Sequence, residues 1–302
     1  MNKIVLIGCG NVGMAYAYAL VNQKEYVDEL VLIDINTERV IGEAMDLNHC
    51  LAYSPSKIKI KVGDYKDCED ASIVVIAAGA NQAPGETRMD LIKKNSKIFK
   101  TIIDEVMSNN FKGIFIIATN PVDIMTYITL KYSNLDPSRV IGSGTTLDTA
   151  RLRYLLSEKL DICPKNIEAY VIGEHGDSEF IPWSNANIAL KKITSMLPKE
   201  ELEKLEDEVR NSAYDIINRK GATYYGIGMC LVRITNAIIE NKNIILPVSS
   251  LDKKHDICIS TPAVVGSNGV QDKIYIPLTE EESTKLTNSI NIIKDAIKKI
   301  DE

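Results

Sequence analysis

Lys3-Ile4-Val5-Leu6-Ile7-Gly8-Cys9-Gly10-Asn11-Val12-Gly13 decides the fold of this 302-residue chain. The apolar run reads as a strand buried on both faces, and the glycines after it read as a turn into a helix. Gly8, Gly10 and Gly13 have the GxGxxG spacing. Between a strand and a helix, the first glycine permits a tight turn and the second lets main chain approach a pyrophosphate. The third lets helix and strand pack closely. The helix start at Asn11 and Val12 offers unpaired N–H groups to the anion. The next apolar run, 30–33, ends at Asp34, 21 residues beyond Gly13. A carboxylate there accepts hydrogen bonds from both ribose hydroxyls of an adenosine and repels a 2′-phosphate, which favours NAD over NADP.

Outward from this unit, apolar runs at 4–7, 30–33, 58–62, 72–78, 114–118 and 140–141 alternate with helical patterns at 12–22, 38–51, 89–108 and 122–131. That alternation predicts an α/β fold, a Rossmann-type doubly wound parallel sheet covered on both faces. Beyond residue 142 the pattern changes to α+β. Helices are expected at 147–160, 199–219 and 224–240, and strands at 257–260, 263–265 and 274–276. The expected organisation is an NAD-binding domain at 1–142 and a substrate domain at 143–302. Thr279 and Glu282 form a capping-box signature for a last helix. Its stripe of Leu286, Ile290, Ile293, Ile297 and Ile300 packs on the protein's own body or on a sister subunit.

The formal charge is −6 without a basic block, so nothing attracts nucleic acid. No apolar run is long enough to cross a membrane. The six cysteines form no CxxC pair and no zinc spacing, and they read as buried thiols in a reducing cytosol. No metal is expected: Glu174, His175 and Asp177 have no second ligand cluster to complete a site. Gly142-Ser143-Gly144 is not a nucleophile elbow.

His175 is one of three histidines. In Val171-Ile172-Gly173-Glu174-His175-Gly176-Asp177, an apolar run stops at a glycine and presents an imidazole, the side chain suited to moving protons near neutral pH. His49 reads as packing or as lining an interface, and His255 as exposed. Asp148 and Arg151 share a helix face. Arg151 fits a substrate carboxylate through two parallel hydrogen bonds, and Asp148 fits the second ring nitrogen of His175. The two also fit an intrahelical ion pair. Asn120, in Thr119-Asn120-Pro121, suits either a nicotinamide or substrate oxygen or a helix cap with Pro121 at the first helical position. The polar segment 80–88 suits a closing loop that brings in Arg88, or a solvated one.

Taken together, these residues resemble the L-lactate dehydrogenases of the lactate/malate dehydrogenase superfamily, almost end to end. The resemblance implies His175 as acid/base with Asp148, Arg151 on the substrate carboxylate and Arg88 polarising the carbonyl. It also implies Asn120 at the substrate oxygen, Gly79 and Ser143 around the nicotinamide, Ile227 as an apolar wall, and Thr223 bounding a small side-chain pocket. Similar malate dehydrogenases carry an arginine where Gln82 stands. A neutral Gln leaves a second substrate carboxylate unpaired, so pyruvate and L-lactate are expected rather than oxaloacetate. A homotetramer is implied, without the N-terminal arm of longer relatives. Arg153 matches an arginine that binds fructose 1,6-bisphosphate in similar bacterial enzymes. Glu168 stands where they have a histidine, so weak or no activation is expected. A malate dehydrogenase, another 2-hydroxyacid dehydrogenase or a nucleotide-binding protein without catalysis are the rival readings.

Overall fold

The computed structural model describes residues 2–24, 26–80 and 88–301. The opening run is β1 (Lys3–Ile7), and the chain turns through Gly8 into α1 (Asn11–Val21). There follow β2 (Glu29–Ile33), α2 (Thr37–Cys50), β3 (Lys59–Val62), β4 (Ile73–Ile76), α3 (Arg88–Ser108), β5 (Ile114–Ile117), α4 (Val122–Ser133) and β6 (Val140–Gly142). The six strands are parallel and lie in the order β3-β2-β1-β4-β5-β6. That is the Rossmann order, with its switch point between β1 and β4.

Continuous apolar runs form these strands because both faces are covered. Ile4, Leu6, Leu30, Leu32, Ile73, Val75, Ile114 and Ile116 enter one core with residues of α1 and α2. Their neighbours Val5, Ile7, Val31, Val74, Ile76, Phe115 and Ile117 enter the other, under α3 and α4.

The second half contributes α5 (Thr146–Leu160), β7 (Ile167–Glu168), β8 (Asn187–Ile188), β9 (Lys191–Lys192), α6 (Lys199–Lys220), α7 (Tyr225–Ile239), β10 (Ile244–Asp252), β11 (Ile257–Gly266), β12 (Gly269–Lys273) and α8 (Glu280–Asp301). Strands β10, β11 and β12 extend the first sheet to nine strands, with Ser249 opposite Gly142, while β7, β8 and β9 form a small sheet. Helix α7 returns to the first half. A Cβ at Gly228 would lie 2.8 Å from Ala15 main chain, and Tyr16 shares a hydrogen bond with Thr235 at 2.9 Å.

Three expectations about elements need correction. The runs 257–260 and 263–265 are one strand, β11, passing through Pro262. Pro262 faces Pro247 of β10, a pair position at which neither residue has to donate to the other. The strand β10 itself was not foreseen. Residues 274–276 are not a strand; Tyr275 there is 88% exposed. The α8 capping box is present: Thr279 N–H reaches Glu282 Oε2 at 2.9 Å, and Glu282 N–H reaches Thr279 Oγ1 at 3.2 Å. Its apolar stripe packs on Ile257 and Ile259, within the protein's own body. Among the cysteines, Cys163 is exposed and Cys50 half-buried, against the expectation of burial.

Candidate active site

Gly8 has φ +100°, and a Cβ there would lie 2.3 Å from Ala78 N. At Gly13 a Cβ would meet Gly8 O at 2.0 Å, so helix and strand touch where the third glycine is needed. A Cβ at Gly10 would meet nothing within 4 Å. The start of α1, which no side chain caps, therefore faces open space of the kind a pyrophosphate needs. Asp34 closes β2 and accepts the N–H of Cys9 at 2.7 Å and of Asn36 at 2.9 Å. The carboxylate thus pins the glycine turn. This donor set fits a dinucleotide.

Across the switch point, Thr119 Oγ1 donates to Ala78 O at 2.7 Å, and a Cβ at Gly79 would meet Thr119. Asn95 of α3 is buried. Its Oδ1 accepts from Ala80 N at 2.8 Å and its Nδ2 donates to Asn120 O at 3.2 Å. Pro121, not Asn120, occupies the cap of α4, and no side chain caps that helix. The capping alternative for Asn120 therefore fails. Ser143 is buried and its N–H bonds Ile117 O at 2.8 Å.

The surroundings of His175 are built on α5. Thr145 Oγ1 donates to Val171 O at 2.6 Å, and Val171 N–H returns to Thr149 Oγ1 at 2.9 Å. This fixes the segment that leads to His175. Gly173, at φ +103°, then turns the chain, with its main chain paired to Ser260. His175 Nδ1 meets Asp148 Oδ2 at 2.7 Å, and Arg151 Nη1 donates to Asp148 Oδ1 at 2.8 Å. Both readings of the helix pair hold together: Asp148 is ion-paired within α5 and also bonded to His175. Its burial is nearly complete.

Burial works against ionising Asp148, but His175 and Arg151 outweigh it and hold the carboxyl below its ordinary value. Burial likewise opposes charging His175. The charge and hydrogen bond of Asp148, followed by Glu179, overcome it and raise the imidazole well above its ordinary value.

Helix α7 starts between the two sides. A Cβ at Gly226 would meet Leu147 of α5 at 2.7 Å. Thr223 and Ile227 flank that contact and are half-buried. Arg88 is the first residue of α3, and its side chain lies outside the described residues, as does Gln82. His49 is exposed on α2, which removes packing in the core and leaves the interface alternative. His255 is half-buried, not exposed, since Asp252 Oδ2 holds its Nδ1 at 2.7 Å.

A family model described as the lactate/malate dehydrogenase NAD binding domain matches residues 2–142, and one for the α/β C-terminal domain of the same family matches 145–302. The chain belongs to the lactate/malate dehydrogenase family. L-lactate dehydrogenase 1 of Staphylococcus aureus (strain USA300) is 51% identical over 310 residues, covering 100% of this chain and 98% of the relative. The crystal structure of a lactate dehydrogenase from a deep-sea metagenome library superposes with a TM-score of 0.97 at 51% identity, over 100% of this chain and 99% of that one. The minor L-lactate dehydrogenase of Enterococcus mundtii, in its ligands-bound form, gives 0.96 at 42% identity, with 98% of each chain covered.

In this dehydrogenase fold, sequence reasoning missed Asp123, Asn95 and Glu179. Asp123 directly follows the Asn120-Pro121-Val122 turn, a position that could have flagged it. Nothing in the sequence marks Glu179 as buried. Among the described residues, Asp148, His175 and Glu179 bring possible ligand atoms within 4.8 Å of one another. The Arg151 guanidinium on Asp148 opposes a cation there. No described helix is long and apolar enough to cross a membrane.

Proposed function

We propose that the chain is an NAD-dependent L-lactate dehydrogenase that interconverts pyruvate and L-lactate, with His175 as its acid/base. The observation that carries the reading is the single carboxylate of Asp148, bonded to His175 on one oxygen and to Arg151 on the other. The full-length relatives named L-lactate dehydrogenase support the substrate.

When bound at Gly8, Gly10, Asn11, Val12, Gly13 and Asp34, NADH supplies the hydride. Gly79, Asn120, Ser143 and Ile227 border the nicotinamide end. Arg151 binds the pyruvate carboxylate through N–H groups that Asp148 leaves free, which aims the carbonyl carbon. Asp148 accepts the Nδ1 hydrogen of His175, so Nε2 faces the substrate and holds the transferable proton. As the carbonyl oxygen gains charge, His175 gives it that proton, and Asp148 steadies the imidazole in both states. Arg88 polarises the carbonyl, and Asn120 assists at the same oxygen. Gln82 and Thr223 admit a methyl group and leave a second carboxylate unpaired. In the reverse direction neutral His175 takes the proton from lactate.

The boundary between an NAD-binding domain at 1–142 and a substrate domain at 143–302 is part of this reading, as are a homotetramer and weak or absent activation by fructose 1,6-bisphosphate. NADH oxidation with pyruvate and with oxaloacetate tests the activity. Pyruvate is expected to be strongly preferred, and equal or greater turnover of oxaloacetate overturns the substrate. His175→Asn is expected to abolish turnover while leaving NADH binding intact.

A further inference from the structure

The imidazole of His175 faces a second carboxyl group that the reaction above does not use. Glu179 lies four residues further on, where its N–H bonds Gly176 O at 3.2 Å and folds the chain back. Phe180 then pairs with Ile172, which fixes the return. Glu179 is 5% exposed, and its Oε2 lies 3.7 Å from the same Nδ1 that Asp148 holds at 2.7 Å. Two carboxyl groups thus share the inner side of one imidazole.

Charge decides what they do. Asp148 and Arg151 neutralise each other. While His175 is neutral, an ionised Glu179 is a buried charge beside a like charge, which is costly. Once His175 is an imidazolium, ionised Glu179 balances it. Burial first, and the Asp148 charge second, push Glu179 up to about 7. The other ionisable groups around this centre are Asp123 of α4, at the His175 main chain, and Cys230 of α7, whose thiol senses Asp148 and Arg151. Glu174 is turned to the Ser178 hydroxyl at 2.5 Å, and Asp177 is turned to Tyr214 of α6.

We propose that Glu179 is a positioning residue of the acid/base centre, a proton-exchanging counter-charge that holds His175 protonated to higher pH than Asp148 alone does. The proposal rests on His175 being the acid/base. With one proton between them, either the imidazole carries it and Glu179 is ionised, or the carboxyl carries it and His175 is neutral. In pyruvate reduction the Nε2–H bond breaks as the O–H bond of lactate forms, and the carbonyl carbon takes the hydride of NADH. The centre then takes one proton from solvent to reset.

Glu179→Gln keeps the shape and removes the charge. The alkaline limb of kcat/KM for pyruvate is expected to move about one unit toward lower pH. Rates on the acid side and NADH affinity are expected to stay as in the wild type. Glu179→Asp, which keeps a carboxyl, is expected to bring the limb part of the way back. Superimposable limbs in wild type and Glu179→Gln overturn the proposal, and so does an equal loss at every pH in both variants. If the Gln variant does not fold, the wild-type protein answers by NMR. With three histidines the His175 resonance is assignable, and a two-step titration is expected where a single-site curve overturns the idea. Turnover retained by His175→Asn defeats the acid/base reading itself. An inactive His175→Asn with an unmoved limb in Glu179→Gln defeats only the role of Glu179.

Discussion

Asp123 Oδ2 accepts the main-chain N–H of His175 at 2.8 Å. Asp123 sits in the first turn of α4, directly after the Thr119-Asn120-Pro121 turn, so one carboxylate ties the cofactor half of the site to the turn that presents the imidazole. Its other oxygen accepts from Ser249 Oγ of β10 at 2.6 Å and Ser260 Oγ of β11 at 3.2 Å. The placement of His175 is therefore held from three elements as well as by its ring.

Asp123→Ala strips the acceptor from three donors, two of them buried. At about 1–3 kcal/mol for each donor left unpaired, the variant is expected to lose several kcal/mol of stability. Turnover should fall while NADH affinity holds, as read by urea denaturation, steady-state kinetics and fluorescence titration. The pH dependence has a definite sign. Burial raises Asp123 from 3.8 to about 6 against the pull of Ser249 and the His175 N–H. The folded protein thus holds this proton more tightly than the unfolded chain. The contribution is complete below about 3.8 and is lost as pH rises through about 6. The Tm advantage of wild type over Asp123→Asn should shrink across that interval, and a constant difference would contradict the assignment.

Arg151→Lys tests geometry at constant charge. A lysine cannot offer two parallel N–H bonds and loses the Nη1 contact to Asp148. Loss of one charge-assisted bond, worth about 1.5–3 kcal/mol, predicts a drop of about 10- to 100-fold in kcat/KM for pyruvate. NADH affinity measured by fluorescence should not change, because the proposed function assigns Arg151 to the substrate carboxylate.

Asp34→Ser removes a carboxylate that holds the Cys9 and Asn36 N–H groups and that the proposed function assigns to the ribose. Binding of NADH should weaken by about tenfold or more, from the loss of a charge-assisted hydrogen bond. The ratio of kcat/KM for NADH over NADPH should fall further, because the repulsion of a 2′-phosphate goes too. An unchanged ratio would remove Asp34 from cofactor choice.

The β1–α1–β2 unit was legible because its signals are local. An uninterrupted apolar run, spaced glycines and a terminal acid each report on their own few residues. The same holds for the capping box of α8. The path of β10 and β11 was not legible, since Pro247 and Pro262 each argue against a strand alone and are tolerated only because they face each other. Asp123 and Glu179 were missed for a related reason. Asp123 is buried against an amide 52 residues away, and Glu179 faces the His175 ring only because the chain folds back between them, which no spacing rule encodes. Gln82 was readable as chemistry only through resemblance.

Arg153 and Glu168 test the effector reading. Arg153 Nε donates to Ala169 O at 3.1 Å, and its guanidinium lies 4.9 Å from the Tyr170 ring centre. The cation is thus held beside β7, where Glu168 is exposed. A phosphate drawn to Arg153 meets a carboxylate from the adjoining strand, and that repulsion offsets the attraction. Pyruvate saturation at pH 7 should therefore change by less than about twofold on adding fructose 1,6-bisphosphate, since the two charges nearly cancel. Glu168→His removes the opposing charge and supplies a donor, so the same addition should lower the half-saturation concentration of that variant. A large drop already present in the wild type would show that Glu168 does not guard the site, and would place the phosphate on cations other than Arg153.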